Sequence, residues 1–509
     1  MRYFNMAPIV LAAFALAGCG GSGGSGPTVN DSTARGTLVA SPPNQIPIPQ
    51  ADGSYATTLQ PTQFAQMLEA AKPGFTQITG TPKCALSIYY MKYMTVGGAG
   101  ETTDATAAIM VPSGTDAACS GPRPVVLFGH GTTVEKSFNM ANIRENSEAS
   151  LVAATFAAQG FIVVAPNYAG YDVSSLGYHP YLNAEQQAND MVDAMRAAKK
   201  AFPAIGVQDS GKLLLSGYSQ GGYVAMAAQR AMQTTYASEF KVTALAGMSG
   251  PYAVTLYTDA VMAGSPPLGG TLFMPLLTTS WQKSYGGLYS STSDVYEAQY
   301  ATGIETLLPG PLTTTQLFAS GKLPQTALFA ADSQPGPSSP AFAAFFGSGN
   351  LVKSSFRTTY LVDALQNPCN TSAGAVVPCS PANPFRKAAL KNDLRNFVPT
   401  VPTMLCGGNA DPTVFYANTQ AMQAFFLSQG MPAAALTVLD VDSSPTSATD
   451  PFAAAKVGFG QAKTATINAA VAANANPTQA VATAYHATLV YPFCAAAVRG
   501  YFQSVLAAQ

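Results

Sequence analysis

Ser219 lies in Gly217-Tyr218-Ser219-Gln220-Gly221, directly after the apolar run "KLLL" and at the start of "QGGYVAMAAQRAMQ", a stretch with helical spacing. A strand that turns sharply into a helix forces the serine into strained dihedrals, and the flanking glycines leave no Cβ to collide with neighbouring backbone. The turn lifts Oγ above the sheet at a helix N-terminus, a place for a nucleophile that forms covalent acyl intermediates. A second match to Gly-x-Ser-x-Gly, at Gly20-Gly21-Ser22-Gly23-Gly24, has no strand before it and is discarded as chance. A nucleotide-binding turn is the other reading of such glycines, but neither a Gly-x-Gly-x-x-Gly pattern nor a Walker lysine is present here.

A serine hydroxyl needs a base. With a strand-turn-helix nucleophile the partners follow in chain order Ser, Asp or Glu, then His, and His486 is the only histidine after Ser219. Twelve carboxylates lie between them. Asp411, in "LCGGNADPTV", comes just after an apolar strand, where ligand sites of parallel sheets gather, and its Gly-Gly-Asn loop would lift it toward the imidazole. Asp440 and Asp442, at the end of the next strand, are its rivals. The negative charge that develops on an attacked carbonyl needs two backbone N–H donors. Gln220, immediately after the serine, supplies one, and "PVVLFGHGTT" offers Thr132 as the other. His130 precedes the nucleophile in the chain and reads as a hydrogen-bonding prop rather than the base.

The elements that must position these groups alternate strand and helix. Residues 86–95 and 105–111 read as an antiparallel hairpin, followed by buried apolar strands at 125–128, 161–165, 212–215, 242–246, 401–405 and 436–441. Helical patterns fall at 147–159, 183–201 and 220–233. The expectation is an α/β chain: a mostly parallel eight-stranded sheet with helices on both faces. Residues 251–398 contain no strand run and are too long for a structureless loop, so they are expected to form a mostly helical cap inserted between 37–250 and 399–509. A second, alanine-rich insertion is expected at 443–483, which accounts for the long gap between Asp411 and His486.

Composition narrows the function. Of 509 residues only 10% are charged, net charge is -1 and no Lys/Arg cluster occurs, which excludes a nucleic-acid partner. Residues 1–18 read as an export signal, with Arg2 followed by a short apolar run. No other segment reads as apolar enough to span a membrane. Leu16-Ala17-Gly18-Cys19 resembles a bacterial lipobox, which implies lipidation at Cys19 and a flexible tether over 19–36. Gly20, rather than Asp, after the cysteine implies the outer membrane by resemblance to Gram-negative lipoproteins. Export permits disulfides. Cys84 with Cys119 and Cys369 with Cys379 are favoured as sequence neighbours. Cys406 with Cys494 is favoured because Asp411 and His486 must meet and each cysteine flanks one of them. With three histidines and no Cys-x-x-Cys pair, a zinc site is not expected, and no metal or organic cofactor is implied.

The motifs "FGHGTT", "GYSQGG", "GGNADPTV" and "YHATLVYPF" resemble those of an α/β-hydrolase, and "NYAGYDVSSLGYHPYLNAEQQANDMVDAMRAAK" is similar to the secretory lipase family and its bacterial relatives, from about residue 80 to the end. That resemblance implies hydrolysis of carboxylic esters with an apolar acyl group through Ser219, Asp411 and His486, beneath a helical lid. Asn167 departs from it, standing where such lipases often carry Asp. Other readings are a polyester or aromatic-ester hydrolase, a serine peptidase of the prolyl-oligopeptidase kind, and an inactive hydrolase fold displayed as a surface binding protein. The peptidase usually has a propeller before the hydrolase, and too few residues precede the first strand here. The inactive protein usually lacks a triad residue, and all three candidates are present.

Overall fold

The structure, a computed structural model, describes residues 28–29, 33–50 and 53–508. Its main sheet contains β1 (Asn44–Gln45), β2 (Ala85–Val96), β3 (Thr102–Ser113), β4 (Arg123–Gly129), β5 (Ile162–Pro166), β6 (Asp209–Tyr218), β7 (Val242–Met248), β8 (Thr403–Gly407) and β9 (Leu436–Asp440). Their order across the sheet is β9-β8-β7-β6-β4-β5-β3-β2-β1. The eight apolar runs all form strands. The ninth, β1, is a two-residue edge paired to Tyr89 and Tyr90 of β2, and its residues carry no apolar pattern from which it could be read.

From β4 to β9 every neighbouring pair is parallel. β5 and β8 are buried at every residue, and β4, β6 and β7 over their C-terminal parts, as expected of strands covered on both faces. On one face lie the helices Ala184–Ala201 and Gln220–Thr234, and on the other Ser147–Thr155 and Tyr491–Ala507. Local chemistry starts two of these helices: the Asn183 side chain accepts from Gln186 N, and the Asn146 side chain from Glu148 N and Ala149 N.

The order has a functional consequence. From β4 the chain moves outward to β5, whereas from β6 it moves the other way to β7. The carboxyl ends of β4 and β6 therefore flank the topological switch point, where a crevice opens in sheets of this kind. Thr132 lies just beyond one end and Ser219 just beyond the other.

Between β7 and β8 the chain contributes no strand to the sheet. Its longer helices are Val254–Met262, Gly270–Tyr285, Ser354–Gln366 and Pro384–Lys391, and residues 286–353 hold only short helical pieces among Pro and Gly breaks. Buried ion pairs knit this segment together, with Arg386 on Asp363 at 2.7 Å and Arg395 on Asp393 at 2.8 Å. After β9 come the helices Ala453–Ala472 and Pro477–Ala484. Pro477–Ala507 forms one long run, 31 residues with a window of mean hydropathy 1.3, long and apolar enough to cross a membrane. That differs from the sequence reading, although 56% of the window is buried inside the fold, as in the core helix of a soluble protein.

Cys19 and the lipobox-like segment expected before it lie outside the described residues. Of the segment 19–36 expected as a tether, the last two residues are held on the fold: Arg35 donates to the buried Asp193 at 2.9 Å and Gly36 O accepts from Lys200. The disulfides are Cys84–Cys119, Cys369–Cys379 and Cys406–Cys494, with Cα separations of 5.3, 5.0 and 5.8 Å. Cys406–Cys494 spans 88 residues and joins β8 to the helix Tyr491–Ala507, a closure worth about 4.6 kcal/mol by loop entropy.

Candidate active site

Ser219 adopts φ 57° and ψ -123°, outside the conformations L-residues prefer, between the end of β6 and the first turn of Gln220–Thr234. Two glycines make the turn possible. A Cβ on Gly221 would stand 1.9 Å from Gly129 O, and one on Gly217 would stand 2.2 Å from Gly221 O. Strand β4, the nucleophile turn and the helix therefore approach more closely than any side chain allows. Ser219 is buried, yet it lines two open spaces in the structure.

Three of the site residues expected from the sequence come together. Ser219 Oγ stands 2.9 Å from His486 Nε2, and His486 Nδ1 2.6 Å from Asp411 Oδ2. The remaining carboxylate oxygen, Asp411 Oδ1, accepts from Thr413 N at 2.9 Å and Val414 N at 3.1 Å, which fixes the carboxylate plane before the imidazole meets it. His486 lies in a π-helical segment, Tyr485–Val490, that runs into Tyr491–Ala507. Such wide turns recur at functional sites.

The rival carboxylates serve as framework. Asp440 accepts from Asn409 N at 3.1 Å and from Asn409 Nδ2 at 2.7 Å, clamping the acid-bearing loop. Asp442 pairs with Lys463 Nζ at 2.7 Å and accepts from Tyr485 OH at 2.6 Å, and Tyr485 OH in turn accepts from Ala410 N. Lys463, on the helix Ala453–Ala472, thus braces through Asp442 both the residue before His486 and the loop that presents Asp411.

Gln220 and Thr132 flank the serine. Among the described residues no protein acceptor is paired with the backbone N–H of either. Gln220 is anchored by its side chain, Nε2 lying 2.6 Å from His179 Nε2. Burial holds the His179 imidazole down to about 3, so it is neutral and accepts that bond. Both ring nitrogens of His130 face carbonyls, Gly131 O at 2.6 Å and Asn167 O at 3.1 Å, and burial lowers its pKa to about 4. His130 is therefore a prop beneath the loop. Asn167 is buried with its amide on Met140 N and Thr106 Oγ1.

Sequence reasoning missed a tyrosine and glutamate frame. Tyr218 OH donates to the His486 carbonyl, and its ring stacks on Tyr491 with centroids 4.0 Å apart and planes 3° apart. Tyr491 OH donates to Glu148 Oε1 at 2.9 Å. Desolvation pushes the Glu148 carboxyl up to about 7. Tyr218 alone had a local signal, as the residue before the serine.

Two spaces meet at Ser219. A narrow apolar cavity of about 60 Å³ runs between the helices Val254–Met262 and Gly270–Tyr285, past Val261, Phe273 and Leu277. The second is a cleft of about 600 Å³ lined by, among others, Thr132, Glu148, Lys72, Arg144 and His486. Phe273 borders both. Among the described residues no group of three or more His, Cys, Asp or Glu is placed to hold a metal ion.

The sequence matches the family model for secretory lipase over residues 135–268, an interval that contains Ser219 and stops before Asp411. The fold is similar to that of the rice cell wall degrading esterase LipA from Xanthomonas oryzae, with a TM-score of 0.68 and 26% identity over 94% of this chain and 100% of that one. A putative hydrolase from Legionella pneumophila subsp. pneumophila str. Philadelphia 1 is similar in fold, with a TM-score of 0.60 and 20% identity over 79% of this chain and 91% of that one. No curated protein matches the sequence. The secretory match and the three disulfides mark an exported chain.

Proposed function

We propose that this chain, a lipase-like α/β-hydrolase and a carboxylic ester hydrolase, cleaves esters of apolar acyl groups with Ser219 as nucleophile, His486 as base and Asp411 as the imidazole's partner. The observation that carries this reading is the unbroken hydrogen-bond chain from Ser219 Oγ through His486 to Asp411 Oδ2. His486 Nε2 takes the hydroxyl proton as Oγ attacks the ester carbonyl, and Asp411 holds Nδ1 protonated and stabilises the imidazolium that forms. The N–H groups of Gln220 and Thr132 receive the negative charge on the carbonyl oxygen. His486 then protonates the departing alcohol, and a water molecule repeats the sequence on the acyl-enzyme.

Substrate orientation follows from the two spaces at Ser219. The apolar cavity suits the acyl chain, because burying methylenes there removes them from water at about 0.8 kcal/mol each. The wide cleft faces His486 and takes the alcohol. Residues 251–398 supply most of the cavity wall, which supports their role as a cap over the acyl chain.

A series of nitrophenyl and glyceryl esters of increasing acyl length, assayed beside aromatic and polymeric esters, tests this reading. The expected result is a maximum of kcat/KM at one aliphatic length, followed by a fall once the chain outgrows the cavity. Aromatic or polyester substrates that outran every aliphatic ester would establish the competing assignment.

The lipobox supports lipid anchoring at Cys19 to the bacterial outer membrane. Cys19→Ala is expected to move the hydrolase out of the membrane fraction with its specific activity intact. Equal detergent partitioning of variant and wild type would defeat the anchor.

A further inference from the structure

Glu148 takes no part in the proton transfers above, yet it is bonded to the loop that presents Thr132. It occupies the first turn of Ser147–Thr155, where the Asn146 cap fixes the backbone from which its side chain extends. Glu148 Oε1 accepts from Gly131 N at 2.9 Å and from Tyr491 OH at 2.9 Å. The other end of Gly131 is held as well, its carbonyl oxygen lying 2.6 Å from His130 Nδ1. That carbonyl and the Thr132 N–H belong to one planar peptide, so fixing the first aims the second in the opposite direction. Glycine has no Cβ to restrict its own dihedrals, so the orientation of this peptide depends on what holds it from outside.

The same carboxyl reaches the other half of the site. Tyr491 stacks on Tyr218, and Tyr218 OH donates to the carbonyl of His486. Loop, nucleophile turn and histidine segment therefore share one frame, with Glu148 at the junction.

We propose that Glu148 is a positioning residue: with His130 it clamps Gly131 so that the Thr132 N–H faces the oxygen of the attacked carbonyl, and through Tyr491 it ties that loop to the segment bearing His486. This rests on the reading of Ser219 as nucleophile and Thr132 as a donor to the oxyanion. The clamp uses an accepting oxygen and not a charge, which a glutamine also offers.

Glu148→Ala and Glu148→Gln, compared with wild type in the full chain, test the proposal through kcat, KM and the inhibition constant of an alkyl boronic acid, which forms a tetrahedral adduct on the serine. Glu148→Ala is expected to lower kcat on the order of 10²-fold and weaken the boronic acid by a similar factor, with KM within about threefold. Glu148→Gln restores kcat to within about fivefold of wild type, a rescue that a generic loss of packing does not produce. Should Glu148→Ala fail to fold, Glu148→Asp, which draws the oxygen back by one methylene, carries the same expectation. A kcat for Glu148→Ala within about threefold of wild type overturns the proposal, and so does a loss in Glu148→Gln as large as that in Glu148→Ala. Ser219→Ala separates the two levels: turnover retained there defeats the nucleophile reading beneath, whereas an inactive Ser219→Ala beside a fully active Glu148→Ala defeats only the clamp.

Discussion

Ser219→Ala is expected to lower kcat by about 10⁴ to 10⁶, His486→Ala to do the same, and the double variant to be scarcely worse than either. The near-equality is the informative part. Oγ and Nε2 are 2.9 Å apart and act on one proton, so once either is gone the other has nothing to exchange with. What survives is the modest catalysis that oxyanion donors and substrate binding provide by themselves. Burst kinetics with a nitrophenyl ester check this directly, since neither single variant should accumulate acyl-enzyme. Losses that added in the double variant would mean that the two residues work independently, and wild-type turnover in Ser219→Ala would end the assignment.

Asp411→Asn should cost about 10³ to 10⁴ in kcat with little change in KM. Asp411 Oδ1 is engaged by two backbone N–H groups, so the amide oxygen of an asparagine takes that side and its NH₂ is turned toward His486 Nδ1. A donor then faces the nitrogen that formerly donated. The proton shifts to Nε2, and the imidazole can no longer accept from Ser219. Asp440→Asn is the matched comparison, because Asp440 clamps Asn409 in the same loop without touching the imidazole. It should lower thermal stability and reduce kcat by less than about tenfold. Equal losses in the two variants would show that the loop's shape, and not the proton on Nδ1, is what Asp411 provides.

The Ser219 turn and the choice of His486 were legible in the sequence for different reasons. The turn is a local event: apolar strand, two glycines that tolerate contacts of 1.9 and 2.2 Å, then helical spacing, all within about 25 residues. His486 followed from scarcity, since three histidines leave a single base downstream of the serine. Eight strands were legible because each carries an apolar or alternating run in its sequence, whereas β1 pairs through two polar residues at an edge and carries no such run.

Only the tertiary structure separated Asp411 from Asp440 and Asp442. All three sit at or just past the end of a parallel strand and look alike locally, and what distinguishes them is which one stands 2.6 Å from a nitrogen 75 residues away. The Glu148 frame was invisible for the same reason, because Glu148 and Tyr491 lie 343 residues apart. Spacing and turn chemistry report how a segment satisfies its own backbone and where it hides its apolar atoms. Which polar side chains then meet is decided by the packing of distant segments, and that is a property of the assembled fold.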